Sequence, residues 1–214
     1  MSGITVDDVA GTPVPRRRNT RSERSVRRLL DAAVEALAES PYADLTVRGV
    51  AARAEVSPTT AYTHFASKDV LIGEVYLRLL RDAATFVDVN DDAETRVKAQ
   101  LRELVLLVAD TPYLAHACTT AIMADDVAMD DIRARIAVEV SRRITASLGP
   151  GAPPDVVATL HMVFSGALMH ARSTPGGYRA IADRLDNAVS LIMSSQRDQI
   201  PRVAEKRTTK AALR

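Results

Sequence analysis

The segment from Val56 to Lys68 constrains the fold most, because it predicts a short polar helix that follows a small amphipathic helix after a tight turn. Ser57 is a good N-cap residue, and Pro58 suits the first helical position, where a missing N–H is no loss. Only Ala61 and Phe65, four residues apart, offer an apolar face. The remaining side chains are mainly hydroxyl, phenol and imidazole groups, which suit contacts with phosphates and base edges.

Helical periodicity continues along the rest of the chain, and no strand-like alternation of useful length interrupts it. A first helix is predicted from Ser22 to just before Ser40, and Thr46 caps the second helix. A longer helix is predicted from Val70 to about Val87, and it would carry any movement from the C-terminal body of the protein to the three helices before it. Later helices are predicted at 92–108, 111–123, from about 130 to 148, at 155–172 and around 181–192. The sequence therefore predicts an all-α fold of about nine helices.

Composition narrows the class of protein further. The 214 residues include a single cysteine, Cys118, which excludes an internal disulfide framework and favours the cytoplasm. The N-terminus has no apolar secretion signal, and no segment is suited to crossing a membrane, so we expect no membrane association. Residues 1–68 carry ten Arg and Lys against eight Asp and Glu, residues 69–196 twelve against seventeen, and residues 197–214 six against two. A polyanion would be drawn to the two ends of the chain.

Four segments follow from these patterns. We expect a flexible basic arm at 1–20, a three-helix head at 21–68, a helical body at 69–198 and a flexible basic tail at 199–214. The arm contains Arg16, Arg17 and Arg18, which could enter a minor groove of DNA beside the head or serve only to solubilise the chain.

The head resembles the DNA-binding domain of the TetR family of transcriptional regulators, through the sequence L-T-V-R-G-V-A-A-R-A-E-V-S-P-T-T-A-Y-T-H-F-A-S-K-D. The resemblance spans about Arg21 to Tyr76 and implies a helix-turn-helix whose second helix enters the major groove. Glu55 departs from the pattern, because the family usually has glycine in this turn, and the local backbone there is expected to differ.

The resemblance implies contacts with DNA at matching positions. Tyr62, His64 and Lys68 match residues that touch phosphates, and Thr46 and Arg48 match the start of the second helix, which also grips phosphate. The expected base-reading surface, together with the N-cap, comprises Ser57, Pro58, Thr59, Thr60 and Thr63. Because this helix has no Arg, Asn or Gln, we expect thymine-methyl contacts and DNA shape to contribute to specificity in place of bidentate base contacts.

The resemblance also implies that the body is a ligand-binding and dimerisation domain that forms a homodimer through its last two helices. Two segments, T-P-Y-L-A-H-A-C-T-T-A-I-M-A-D and R-L-D-N-A-V-S-L-I-M, resemble repressors of sterol and lipid catabolism in high-GC bacteria, so the effector is expected to be a small apolar molecule. Flexible and amphipathic side chains line adaptable apolar pockets, although for each candidate alone ordinary core is the stronger interpretation. The candidate ligand-binding residues are Phe86, Leu104, Tyr113, His116, Met123, His161, Met162, Phe164 and Ser165.

Catalytic and metal chemistry have little support in the sequence. His116, Cys118 and His161 lack the spacing of a metal site, and Ser165 lacks the context of a catalytic nucleophile. We therefore expect no metal, no cofactor and no enzymatic activity.

The leading interpretation is a homodimeric repressor that binds a near-palindromic operator in double-stranded DNA. The alternatives are an all-α carrier or enzyme for apolar ligands with a vestigial head, and a DNA-binding protein without an effector.

Overall fold

A computed structural model describes residues 16–199 apart from Val87 and Val89, and every regular element in this part of the chain is helical. Residues 1–15 of the arm expected at 1–20 and residues 200–214 of the tail expected at 199–214 lie outside the described residues. The N-terminal head comprises α1 (Arg16–Glu39), a short 3₁₀ helix (Tyr42–Asp44), α2 (Val47–Arg53) and α3 (Pro58–His64). The described part contains nine α-helices, in agreement with the predicted all-α fold.

The body is built from the six remaining helices. They are α4 (Lys68–Asp82), α5 (Ala93–Leu106), α6 (Pro112–Ile122), α7 (Met129–Leu148), α8 (Pro154–Ala171) and α9 (Gly177–Gln199). The α4 helix packs against α1, α6 and α7, while α5 and α8 both pack against α9. A single apolar core therefore runs from the head into the body.

The start of α1 and the end of α4 differ from the prediction. The α1 helix begins at Arg16, so residues 16–20 continue the first helix although they were expected to belong to a flexible arm. The α4 helix ends at Asp82, five residues before the predicted end. The sequence pattern placed both the start of α1 and the end of α4 too far along the chain.

The early end of α4 is explained by a buried arginine from α7. The side chain of Arg143 is 1% exposed, and its guanidinium donates to the carbonyl oxygens of Arg81 at 2.9 Å and of Ala83 and Ala84 at 3.0 Å each. The same guanidinium contacts Glu139 at 2.8 Å through Nε. A cation that satisfies the last carbonyls of a helix and opposes the negative end of its dipole stabilises that end.

The start of α4 is also attached to α7 and to the loop before it. The Ser67 hydroxyl caps α4 by accepting from the Val70 amide at 3.2 Å, and it donates to the Asp126 carboxylate at 2.9 Å. Farther along α4, Gly73 lies so close to Met129 that an added Cβ would meet its methyl carbon at 2.7 Å. Glycine at this position therefore allows the close approach of α4 and α7.

Candidate nucleic-acid interface

Side-chain caps define the starts of α2 and α3. The Thr46 hydroxyl accepts from the Gly49 amide at 3.0 Å, and the Ser57 hydroxyl accepts from the Thr60 amide at 3.1 Å. Pro58 occupies the first turn of α3. These caps leave the other first-turn N–H groups facing outward, where a helix N-terminus favours anions.

The turn between α2 and α3 is a Schellman motif with glutamate where glycine is usual. The Val56 amide donates to the Ala51 carbonyl at 2.9 Å, and the Glu55 amide donates to the Ala52 carbonyl at 3.1 Å. Glu55 has φ 50° and is the only non-glycine residue with positive φ in the described part of the chain. The expectation that the backbone would differ here was wrong, because Glu55 adopts the left-handed conformation that glycine favours.

The exposed face of α3 carries one phenol and several small hydroxyl side chains. Ala61 and Phe65 are buried against the head, whereas Tyr62 is 52% exposed and Thr59 and Thr63 are also exposed. The Thr63 hydroxyl donates to the Thr59 carbonyl at 2.8 Å. The phenol of Tyr62 and the side chains of Thr59 and Thr63 are therefore what this face presents to solvent.

A pair of neighbouring hydroxyl groups lies at the start of α3, and the other residues expected to contact DNA lie nearby in the head. The hydroxyls of Ser57 and Thr60 are 2.8 Å apart, and Thr60 is half-buried. His64 is half-buried at the end of α3, while Arg48 is exposed on the first turn of α2. Arg16, Arg17 and Arg18 form the first turn of α1, and their side chains lie outside the described residues.

Lys68 is held by the 3₁₀ helix. Its ammonium donates to the Tyr42 carbonyl at 3.1 Å and lies 4.3 Å from the centroid of the Tyr42 ring. The Tyr42 hydroxyl in turn donates to the Asp69 carboxylate through a short hydrogen bond. Burial and the neighbouring Asp69 raise the pKa of Tyr42 above its usual range, so the phenol keeps its proton. This cluster joins the first turn of α4 to the head.

A basic groove of about 730 Å³ runs between α1 and α3, and sequence reasoning missed its arginines. Arg21, Arg24 and Arg28 line its α1 side. Arg28 contacts Glu55 at 2.9 Å, which places one carboxylate within the groove. The spacing of three and four residues was a detectable signal, because it places all three arginines on one helical face.

The residues expected to bind an effector do not gather around one cavity. Leu104 and Phe164 are buried in the core, Phe86 and His161 are half-buried, and Ser165 is exposed.

Three other effector candidates are surface-exposed. Met123 and Met162 are 67% and 68% exposed, and Tyr113 is 44% exposed. Tyr113 and His116 share the wall of one cavity of about 530 Å³, which none of the other candidates lines.

The surroundings of His161 and Cys118 in the body explain the shifts of their pKa values. The His161 ring lies 3.0 Å from the Ser141 hydroxyl, and burial lowers the pKa of His161. Burial raises the pKa of the Cys118 thiol to about 12, so this cysteine stays protonated and packs as an apolar side chain.

Within the described residues, no group of three His, Cys, Asp or Glu side chains could hold a metal ion, and no helix is long and apolar enough to span a membrane.

Known proteins resemble both the head and the whole chain. The family model for bacterial regulatory proteins of the tetR family matches residues 29–75. HTH-type transcriptional regulators of Mycobacterium bovis and Mycobacterium tuberculosis H37Rv, named as uncharacterised, are 49% identical to the chain over 179 residues. The matched region covers 83% of this chain and 84% of each relative.

Solved structures show the same fold. A TetR transcriptional regulator from Rhodococcus sp. RHA1 matches with a TM-score of 0.68 and 19% identity, over 78% of this chain and 97% of that one. A second transcriptional regulator from Rhodococcus matches with a TM-score of 0.58 and 23% identity, over 81% and 96% of the two chains. With the capped helix-turn-helix of the head and the extent of the mycobacterial match, these findings show that the chain belongs to the TetR family of bacterial transcriptional regulators and is not an enzyme.

Proposed function

We propose that the protein is a homodimeric repressor that binds a near-palindromic operator in the cytoplasm and leaves it when a small effector binds the body. The observation that carries the proposal is the pairing of the exposed polar face of α3 with the arginine-lined groove beside it. A positively charged groove next to a helix of suitable width for the major groove is the arrangement by which helix-turn-helix proteins combine phosphate and base contacts.

The proposed contacts divide into two kinds. Phosphates are contacted by Arg21 and Arg24 from α1, by Arg48 and Thr46 at the start of α2, and by the Tyr62 hydroxyl. Bases are contacted mainly by the residues of α3 that combine a methyl group with a hydroxyl, namely Thr59 and Thr63. Arg16, Arg17 and Arg18, at the first turn of α1, and His64 and Ser57 remain candidates for additional backbone contacts.

Lys68 contributes differently in this proposal. Its ammonium is already bonded to the Tyr42 carbonyl, so it can reach phosphate only with the donors that remain free. Loss of Lys68 would therefore loosen the junction between the head and α4 as well as remove a positive charge. The basic groove, more than Lys68, supplies the main phosphate grip.

The dimer is proposed to form through α8 and α9. Met162, Met169 and Leu191 are 68%, 37% and 73% exposed, so both helices present apolar side chains to solvent. Gly166 lies on α8 between the two methionines, and a Cβ added there would have no atom within 4 Å. A second copy that packs its own α8 and α9 on this face would bury the apolar side chains and approach closely at Gly166.

The effector signal is proposed to pass through α4. This helix contacts the head at its first turn through Asp69 and Tyr42, and its last carbonyls are held by Arg143 of α7. An effector can shift the protein away from DNA only by binding more tightly to the arrangement with the wrong head spacing.

The DNA contacts can be tested by fluorescence anisotropy on an operator selected from genomic fragments. Arg24→Ala should weaken binding and lower the slope of log affinity against log salt by about one, because one phosphate contact is lost. Tyr62→Phe should weaken binding with little change in that slope, since it removes only a hydroxyl.

The matched control is Arg81→Ala, which removes an exposed arginine at the far end of α4. It should leave affinity and slope unchanged. If Arg24→Ala and Tyr62→Phe behave like Arg81→Ala, α1 and α3 do not form the DNA interface. If purified metabolite extracts never release the bound operator, the protein acts as an effector-independent DNA-binding protein.

A further inference from the structure

A cavity of about 530 Å³ lies where the head meets the body. Its wall is formed by the first turns of α6 and α9, by the end of α8 and by the loop before the 3₁₀ helix. The residues that matter most are Pro41, Tyr113, His116, Arg172, Tyr178 and Arg179. The cavity therefore touches both parts of the protein.

The charge around this cavity is positive. Arg172 and Arg179 both line it, and no Asp or Glu is among the described residues of its wall. Arg179 contacts Asp110 at 2.8 Å, but both side chains are largely exposed, so the pair is weak. The Arg172 guanidinium donates to Nδ1 of His116 through a short hydrogen bond. Burial and the charge of Arg172 both lower the pKa of His116, so the imidazole stays neutral and accepts this bond.

Two helix N-termini open on the same cavity. The α6 helix begins at Pro112, and the side chain of Thr111 makes no capping hydrogen bond to it. The α9 helix begins at Gly177, beside the wall residue Tyr178. The first N–H groups of a helix have no acceptor within the helix, and the positive end of its dipole attracts anions. Both helices thus add to the attraction exerted by the two arginines.

We propose that this cavity is a binding site for a small organic carboxylate. Arg172 and the backbone N–H groups of Tyr113 and Tyr178 bind its carboxylate, Arg179 adds positive charge at the rim, and the rings of Tyr113 and Tyr178 contact its apolar portion. Arginine suits this role because its planar guanidinium can offer two parallel donors to a carboxylate.

The position of Pro41 connects this site to the head. Pro41 lines the cavity and directly precedes the 3₁₀ helix, whose Tyr42 bonds to Asp69 and Lys68. A ligand that displaces the chain at Pro41 therefore acts on the first turn of α4. That such binding releases DNA rests on the proposed function, whereas binding itself does not.

The test is a titration of the full-length ¹⁵N-labelled protein with benzoate, octanoate and inorganic phosphate, followed by NMR. Benzamide and octanamide have the same shapes without the charge. We expect saturable shifts of the Tyr113, Gly177 and Tyr178 amides with at least one carboxylate, and affinity lower by about tenfold or more for the matching amide. Arg172→Met should weaken carboxylate binding by a similar factor, and Arg81→Met should not change it.

Three results would overturn the proposal. The first is the absence of shifts at these amides with either carboxylate, and the second is equal binding of acids and amides. The third is binding of inorganic phosphate alone, which would indicate a simple anion site. Because the titration contains no DNA, failure of operator binding would refute the proposed function and leave this result unaffected.

Discussion

Replacing Glu55 by glycine is expected to make the protein more stable than replacing it by alanine. Glu55 occupies the left-handed position that ends α2, with φ 50°. An L-residue in this conformation costs about 1–2 kcal/mol. Glycine removes that cost, but it also gives the unfolded chain more freedom, which lowers stability by about 0.4–1 kcal/mol. The glycine variant should therefore exceed the alanine variant by about 0.5–1 kcal/mol.

The ion pair between Arg28 and Glu55 does not disturb this comparison, because both variants lose it. Its side chains are 45% and 85% exposed, so it contributes at most about 1 kcal/mol to the wild-type protein. Thermal unfolding followed by circular dichroism at one fixed protein concentration should place the glycine variant about 1–4 °C above the alanine variant.

DNA affinity supplies a second measurement on the same pair of variants. The Glu55 carboxylate lies in the basic groove between α1 and α3. Removing it should raise operator affinity at low salt by the same factor in both variants, since their charge is identical. If the alanine variant is as stable as the glycine variant, the strain argument for this turn is refuted. If only one variant gains affinity, the change is conformational and not electrostatic.

Three further substitutions test other parts of the structure. Arg143→Met should destabilise the protein by about 3 kcal/mol or more in urea unfolding, because the carbonyls at the end of α4 lose a buried donor and the buried ion pair with Glu139 is broken; Arg142→Met, which removes the 56% exposed neighbour that pairs with the same Glu139, should cost less than about 1 kcal/mol, and similar losses would contradict the role of Arg143. Because the folded-state pKa of His161 is lowered, the unfolded state takes up more protons below about pH 6.5, so stability should fall from pH 7.5 to 5.5 and fall less in His161→Gln; the exposed His170→Gln is the control, and equal losses would exclude a role for His161. Gly166→Glu should convert the proposed dimer to monomer in analytical ultracentrifugation, whereas Val127→Glu, at an 84% exposed position in the loop before α7, should not; a Gly166→Glu dimer would place the interface elsewhere.

The sequence was sufficient to predict the ends of those helices that are marked by local signals. Thr46 and Ser57 cap α2 and α3 as predicted, because the hydroxyl and the amide that it binds are only three residues apart. The end of α4 could not be predicted in the same way. It depends on Arg143, which lies some 60 residues away in the chain, and no pattern within α4 itself indicates that contact.

The two candidate sites differ, for a similar reason, in how far the sequence alone could place their residues. The hydroxyl face of α3 follows from the helical period once Ala61 and Phe65 are assigned to the core. Effector residues were chosen by side-chain type, and type does not indicate which face of a body helix points inward. Met162 illustrates this, since an apolar residue expected near a pocket is exposed on α8.

The attachment of α4 to α7 at both ends has a mechanical consequence. Asp126 and Gly73 fix the first half of α4 near α7, and Arg143 fixes its last turn. We therefore expect the two helices to tilt together as one rigid unit. Because α4 has 15 residues and is about 22 Å long, a tilt of about 5° at its C-terminal end moves the other end by about 2 Å. A small rotation within the body would then displace the head by a distance comparable to the length of a covalent bond.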